Sequence, residues 1–216
     1  MQKTELKKSY TTEQEKHWAG EFGNHYIERN QDERLVLSNL LLFSKILKLM
    51  PTIGSIVELG CNIGLNLKAL QTINPAFDLC GYEINQTAVQ RARELKQVEI
   101  IHGTILNQLS TKKRFDLSFT KGVLIHIHPE ALDKVYDNLF HLSSRYVLVC
   151  EYYNPKPEVI EYRGNSNLLF RRDFAGELMD RYPLQLLDYG FVYHRDSYFP
   201  MDDPTWFLLE KTQYER

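Results

Sequence analysis

The 216-residue sequence has few cysteines, and none of them stand at a spacing typical of a disulfide framework or a metal site. Cys61, Cys80 and Cys150 are odd in number and lie in or beside apolar runs. Such cysteines are typical of buried free thiols in a reducing compartment. A reactive thiol is not favoured, because no cationic cluster flanks any of the three.

Long hydrophobic runs and an excess of one charge are also missing. No segment approaches the roughly 20 apolar residues of a membrane-spanning helix, and the N-terminal residues lack the apolar stretch of a signal peptide. The formal charge is −2, from 26 basic and 28 acidic side chains, which gives no general attraction to nucleic acid or anionic membranes. The histidines form no recognised ligand set, so no metal site is predicted. We therefore expect a cytoplasmic protein that does not bind membranes, and nucleic acid is not the favoured partner.

Residues 55–66 contain the pattern around which the predicted fold is arranged. An apolar, β-branched run at 56–59 is typical of a buried parallel strand, and the leucines that follow Gly64 recur at helical spacing. Gly60 can adopt backbone angles closed to other residues, and Gly64 permits close approach to the main chain. This order of strand, glycine turn and helix presents free amides to a ligand. The alternative is an ordinary turn without a ligand.

The spacing to the next acidic residue favours a nucleotide site. The second predicted strand, at 77–83, ends in Glu83, nineteen residues after Gly64. In nucleotide-binding α/β folds an acid about 20 residues beyond the glycine turn binds the ribose hydroxyls. Because the loop is not Gly-x-Gly-x-x-Gly, a dinucleotide is the poorer interpretation.

The remaining pattern alternates helices and strands. It predicts an α/β, Rossmann-like fold with a seven-stranded, mostly parallel sheet, helices on both faces and an antiparallel C-terminal strand pair. We divide the chain into an N-terminal aromatic extension (1–34) and a main domain (35–216) with an insertion around 152–182. The predicted helices and further strands cover 34–50, 87–96, 98–102, 115–121, 129–140, 145–151, 178–182, 184–193 and 205–211.

Two motifs resemble those of class I S-adenosylmethionine (SAM) methyltransferases. Glu-x-Gly-x-Asn-x-Gly at 58–64 is similar to motif I, with Asn62 in place of the middle glycine, and the segment 115–127 is similar to motif II. More narrowly, the sequences at 18–30, 58–66, 151–157 and 162–175 resemble the pseudaminic acid biosynthesis-associated methylases. That family is named from gene neighbourhoods, so the resemblance implies methyl transfer from SAM, with S-adenosylhomocysteine (SAH) as product. It implies a sugar acceptor only weakly.

The resemblance implies a cofactor site at the carboxyl ends of the first four strands. The expected cofactor-binding residues are Glu58, Gly60, Cys61, Asn62, Gly64, Asn66, Glu83, Ile84, Gly103, Thr104, Ile105, Lys121 and Gly122. Thr104 and Ile105 would flank the adenine, by hydroxyl or backbone and by apolar contact. The aromatic segment at 18–30 is either a lid, with Tyr26 and Arg29 as polar contacts to the cofactor, or a flap that only packs on the domain.

Candidate catalytic and acceptor residues follow the fourth and fifth strands. His126, Glu151 and Tyr152 are the predicted catalytic residues, since a general base would help some acceptors and histidine titrates in the useful range. His126 has an equally good interpretation as a buried histidine that packs the turn. The predicted acceptor-binding residues are Tyr153, Tyr162, Arg163, Arg171 and Arg172, because guanidinium groups bind anionic groups well. Alternatively, they form a salt-bridged insertion over the sheet edge.

Three functions remain open at this point. The first is a methyltransferase for a small polar molecule, such as a sugar or nucleotide sugar. The second is a methyltransferase for a peptide, protein or RNA. The third is a SAM-binding partner subunit without catalysis.

Overall fold

The computed structural model describes residues 10–30, 32–109 and 113–213. In these ranges the helices are α1 (Glu13–Ala19), α2 (Glu21–Arg29), α3 (Glu33–Leu47), α4 (Leu65–Ile73), α5 (Gln86–Ala92), α6 (Leu132–Leu142) and α7 (Phe174–Arg181). The strands are β1 (Ser55–Leu59), β2 (Asp78–Glu83), β3 (Val98–His102), β4 (Phe115–Lys121), β5 (Ser143–Glu151), β6 (Glu158–Tyr162), β7 (Asn165–Arg171), β8 (Leu184–Phe191) and β9 (Thr205–Lys211).

Seven strands form one sheet in the order β3-β2-β1-β4-β5-β9-β8. The first five strands are parallel, and β9 runs antiparallel to both β5 and β8. Val57 of β1 lies opposite Cys80 of β2 on one side and Ser118 of β4 on the other. The chain order reverses direction across the sheet at β1, and ligands of open α/β sheets bind in the crevice at such a switch point.

Helices cover both faces of the sheet. On one face Phe43 of α3 and Leu70 of α4 pack against sheet residues that include Phe119. On the other face Leu139 of α6 and Leu178 of α7 join a second buried cluster. Because parallel strands buried on both faces need apolar residues at every position, the near-continuous apolar run of β1 is explained by its central place.

The predicted fold class is confirmed, but the insertion after β5 has a structure that was not predicted. β6 and β7 form a separate antiparallel hairpin. Arg163 and Gly164 connect its strands with φ values of 52° and 77°. Two successive residues with positive φ form the primed type of turn, whose twist matches that of the hairpin strands.

The N-terminal extension is helical in its described part. Thr12 caps α1, accepting from the backbone N–H of Glu15, whose side chain accepts in return from the backbone N–H of Thr12. Gly20 separates α1 from α2. In the portion of the chain that the structure describes, no helix has the length and apolar character required to cross a membrane.

Candidate functional site

The loop after β1 contains three residues with left-handed backbone angles. φ is 83° at Gly60, 48° at Asn62 and 80° at Gly64. A Cβ on Gly60 would lie 2.7 Å from Val123, and one on Gly64 would lie 2.7 Å from a methyl of Leu95. Asparagine is among the few other residues that tolerate this conformation. The replacement of a motif glycine by Asn62 therefore leaves the loop geometry intact.

Glu83, at the end of β2, holds this loop in place. One carboxylate oxygen accepts the backbone N–H of Asn62 at 2.7 Å, and the other accepts the backbone N–H of Asn85 at 2.7 Å. Burial raises the pKa of Glu83, and these two backbone hydrogen bonds oppose that rise. Each oxygen retains a second lone pair, so the carboxylate can still accept hydrogen bonds from a ligand.

A second buried acid, Glu58, lies beneath the loop. It is fully buried, and Oε1 accepts from the side-chain amide of Asn66 at 2.5 Å. Oε2 has no hydrogen-bond partner among the described residues. Burial raises the pKa of Glu58 to about 8, and Asn66 and the positive charge of Lys121 act in the opposite direction. A cation bound nearby would favour the ionised form.

A cavity of about 530 Å³ opens at the carboxyl ends of the parallel strands. Most of the predicted cofactor residues line it, namely Tyr26, Gly60, Cys61, Asn62, Asn66, Glu83, Ile84, Gly103, Thr104, Ile105, Lys121 and Gly122. Glu58, Gly64 and Arg29 do not line it. The exposed Arg29 guanidinium instead lies 6.0 Å from the ring of Phe22 on the outside of α2.

The three predicted catalytic residues all line the cavity, but two have structural partners. The Glu151 carboxylate accepts backbone N–H groups of the turn that follows β4, from Val123 at 3.0 Å and Leu124 at 3.1 Å. Burial raises its pKa to about 7. His126 Nδ1 bonds the carbonyl of Leu168 at 2.6 Å, so Nδ1 carries the proton and Nε2 the lone pair. Burial lowers the pKa of His126 to about 4.

Tyr152 is the third of these residues. Its hydroxyl forms no hydrogen bond with any residue in the described ranges, and the guanidinium of Arg171 lies 5.7 Å from its ring. Burial and the negative charge of Asp202 both raise the pKa of Tyr152. At neutral pH Tyr152 is therefore a neutral hydroxyl that can donate to, or accept from, a molecule in the cavity.

The structure does not bring the predicted acceptor residues to the cavity. Arg163 is at the exposed turn of the β6–β7 hairpin, and Arg172 pairs with Glu177 at 2.7 Å. Tyr153 is exposed and packs near Phe207. The remaining two, Tyr162 and Arg171, contact other rings: Tyr162 lies 5.4 Å from His126, and Arg171 lies over Tyr152 as described above. The β6–β7 hairpin explains this placement, because its strands lie outside the cavity and carry most of these side chains with them.

The N-terminal helices form one wall of the cavity, through Trp18 of the predicted aromatic segment and through two residues that the sequence did not single out. Gln14, Glu15 and Trp18 line it. Glu15 accepts a hydrogen bond from the Thr104 hydroxyl, so that hydroxyl already has a partner inside the protein. The side-chain amide of Asn85 donates to the carbonyl of Trp18 at 3.0 Å.

A further wall comes from α3 and from the loop between β8 and β9. Arg34, Leu35, Ser38 and Asn39 are spaced along one face of the helix and line the cavity. From the loop, His194, Pro200, Met201, Asp202 and Pro204 line it. The sequence signal that could have found the helix residues is the polar Ser-Asn pair inside an otherwise apolar helix.

Comparison with known proteins found a family model that matches the central region and solved structures that share the fold. Residues 56–144 match the model of a family described as a methyltransferase domain. No curated protein sequence matches the chain significantly.

Several solved structures share the fold. A 1,6-didemethyltoxoflavin-N1-methyltransferase from Burkholderia thailandensis is 13% identical, with 89% of this chain and 85% of that chain covered and a TM-score of 0.67. A magnesium protoporphyrin IX methyltransferase from Synechocystis PCC 6803 is 12% identical, with coverage of 92% and 98% and a TM-score of 0.66. A plantazolicin methyltransferase in complex with SAH is 15% identical, with coverage of 93% and 94% and a TM-score of 0.64.

At these identities the structural likeness establishes the fold. Together with the family model, it agrees with the predicted class, a SAM-dependent methyltransferase with a Rossmann-like fold. The comparisons do not single out the narrower family of pseudaminic acid biosynthesis-associated methylases.

Proposed function

We propose that this protein transfers the methyl group of SAM to a small polar acceptor, such as a sugar or a nucleotide sugar. The observation that supports this most directly is the arrangement of Glu83 beside the loop after β1. A carboxylate with free lone pairs lies next to a glycine-containing turn at the carboxyl ends of two parallel strands. That arrangement suits a ribose and the groups on either side of it.

The residues around the cavity fit SAM in size and charge. Small-molecule pockets commonly have volumes of roughly 300–1,000 Å³, and this cavity falls within that range. Lys121 lines it without an ion pair in the described residues, and would pair with the carboxylate of the methionine moiety. The side-chain oxygen of Asn66 offers an acceptor for the ammonium group, and Glu58, which lies behind the cavity wall, orients the Asn66 amide. The backbone at Thr104 and the apolar Ile105 flank the adenine.

Bound SAM supplies a methyl group on a positively charged sulfur, which an acceptor nucleophile attacks in line. The protein contributes orientation and the exclusion of water. We assign the exclusion of water to α1, through Glu15 and Trp18, and to α2, through Tyr26, since these residues line the cavity.

Among the predicted catalytic residues, Tyr152 is the one we place against the acceptor nucleophile. Its hydroxyl lacks a partner in the described structure, whereas both Glu151 oxygens accept backbone N–H groups. His126 is neutral at pH 7 and packs between Trp18 and Tyr162, with ring distances of 4.6 and 5.4 Å. Glu151 and His126 therefore act as positioning residues in this proposal.

The alternatives are weaker for stated reasons. The near-neutral net charge gives RNA no electrostatic advantage. A distorted loop after β1 would favour a SAM-binding subunit without catalysis, but Asn62 keeps the left-handed backbone conformation of the motif. Binding of a peptide requires no excess of charge on the protein, so the net charge does not argue against a peptide acceptor. The three structural neighbours named above are methyltransferases for acceptors of different chemistry, so the shared fold leaves the acceptor open.

Two measurements test the proposal in sequence. Calorimetric titration of the purified protein with SAM and SAH should show saturable binding at one site per chain. Transfer of label from methyl-labelled SAM is then compared between nucleotide sugars, total RNA and protein extract. Absence of SAH binding contradicts the cofactor assignment, and labelling of RNA or protein alone contradicts the acceptor.

A further inference from the structure

Asn39 is a polar residue in the wall of the cavity. It lies on α3, is 3% exposed and lines the cavity. Its side-chain amide forms no hydrogen bond within the described ranges. An amide that is open to a cavity and has no protein partner there can bind a ligand that supplies both an acceptor and a donor.

The turn at residues 200–202 adjoins this part of α3. The Ser38 hydroxyl donates to the carbonyl of Pro200 at 3.1 Å, and Met201 is buried in the core beside the helix. His194 Nδ1 lies 2.7 Å from a carboxylate oxygen of Asp203, and this hydrogen bond closes the loop. The loop is thereby fixed so that Asp202 lines the cavity. Asp202 forms no ion pair in the described residues.

Two tyrosines, Tyr26 and Tyr152, line the cavity together with Asp202. Burial is the main cause of the raised pKa values of Tyr26 (about 12) and Tyr152, and the negative charge of Asp202 adds to both. Neither tyrosine hydroxyl has a hydrogen-bond partner in the described part of the chain. An amide, a carboxylate and two phenols thus face one space.

Resting on the proposed function, we propose that the acceptor is a hydroxyl-rich molecule of carbohydrate type, and that Asn39 and Asp202 are the residues that bind its hydroxyl groups. A hydroxyl both donates and accepts, which matches an amide, and it can also donate to a carboxylate. The arginines of the β6–β7 hairpin lie outside the cavity, so an anionic group is not the recognised feature there. Arg34, on the same face as Asn39, is exposed at the rim and is available for a charged substituent.

The two residues also belong to elements other than those expected to bind the cofactor. Asn39 comes from α3 and Asp202 from the β8–β9 loop, whereas the cofactor residues follow β1, β2, β3 and β4. Substitutions at the two positions should therefore separate acceptor binding from cofactor binding.

The test uses Asn39→Leu and Asp202→Asn, with Asn107→Leu and Asp180→Asn as matched controls at exposed positions away from the cavity. Transfer from methyl-labelled SAM is measured on a panel of free, UDP-linked and CMP-linked sugars, with catechol and tryptamine as acceptors poor in hydroxyl groups. SAH affinity is measured by calorimetry for every variant.

We expect a member of the sugar panel to be labelled. For that sugar, Asn39→Leu and Asp202→Asn should each raise KM at least tenfold, while SAH affinity stays within twofold of the wild type and the controls change neither. An unchanged KM overturns the inference, as does a tenfold loss of SAH affinity in Asn39→Leu, which would assign that residue to the cofactor. Labelling of none of the sugars while SAH binds also overturns it. If the wild type fails to bind SAH, the proposed function itself is wrong.

Discussion

Replacement of Glu83 by glutamine tests the central element of the site with a minimal change of shape. Both carboxylate oxygens accept backbone N–H groups, from Asn62 and Asn85, each at 2.7 Å. Glutamine retains one acceptor oxygen and replaces the other with an NH₂ group. In either orientation of the amide, one buried backbone N–H then faces a donor instead of an acceptor.

The magnitude follows from what is lost and what is recovered. A hydrogen bond to a charged group is worth about 1.5–3 kcal/mol, and an unsatisfied buried donor costs a similar amount. Burial raises the pKa of Glu83, so removal of the charge recovers part of this cost. We expect a net loss of about 2 kcal/mol in the free energy of unfolding. The loss of one acceptor for a ribose hydroxyl should weaken SAH binding about 30-fold, which corresponds to a similar free energy.

Urea denaturation of the protein without cofactor measures the first quantity, and calorimetry with SAH measures the second. Glu99→Gln is the matched control, since Glu99 is exposed on the neighbouring strand β3 and lies outside the cavity. The control should change neither value by more than about 0.5 kcal/mol. If Glu83→Gln binds SAH within threefold of the wild type, Glu83 does not contact the ribose and our account of the site is refuted.

Three further substitutions test the wall and the buried groups. In Gly23→Ala the added Cβ would lie 2.0 Å from the carbonyl oxygen of Trp18, so α1 and α2 can no longer pack together as they do in the wild type. We expect this to cost about 1–3 kcal/mol. Faster proteolysis of the N-terminal segment and weaker SAH binding would show the effect. His126→Asn keeps a donor for the Leu168 carbonyl but does not titrate. The folded pKa of His126, about 4, lies below the ordinary 6.5, so the free energy of unfolding of the wild type should fall by about 3 kcal/mol relative to this variant as pH decreases from 6.5 to 4. Urea denaturation that gives the same difference between the two proteins at both pH values would contradict this. The folded pKa of Glu58, about 8, lies above the ordinary 4.5, so the free energy of unfolding of the wild type without cofactor should decrease as pH rises. Glu58→Gln does not titrate, and its free energy of unfolding should therefore increase by about 4 kcal/mol relative to the wild type between pH 5 and 8. A difference that stays constant over this range would refute the burial of this acid.

The sheet could be predicted from the sequence because its determinants are local. Five parallel strands with apolar residues on both faces allow few other topologies when helices separate β1 from β2, β2 from β3 and β4 from β5. The β6–β7 hairpin was missed because its turn residues, Arg163 and Gly164, are not a common primed-turn pair, and Asn-Gly is the pair that sequence reasoning looks for.

The site was predictable to the extent that it consists of residues close to the carboxyl ends of strands. Loop residues such as Asn62 and the acid Glu83 follow from spacing along the chain. Asn39 and Asp202 are separated by more than 160 residues, and their approach depends on the contact of α3 with the β8–β9 loop. Only the folded chain brings such residues together, so no local pattern predicts them.

Asn85 links Glu83 to the N-terminal helices through one buried side chain. Its backbone N–H donates to Glu83, its side-chain oxygen caps α5 by accepting the N–H of Ala88, and its amide nitrogen donates to the carbonyl of Trp18 at 3.0 Å and to Asn24 at 3.1 Å. With these groups engaged, the side chain has one orientation, and that orientation depends on the turn that Glu83 organises. A ligand that orders Glu83 therefore also stabilises the docking of α1–α2, and by reciprocity docked helices strengthen the binding of that ligand. If the proposed cofactor binds at Glu83, this coupling gives a physical reason for the cavity to be covered by the N-terminal helices and not by the hairpin arginines.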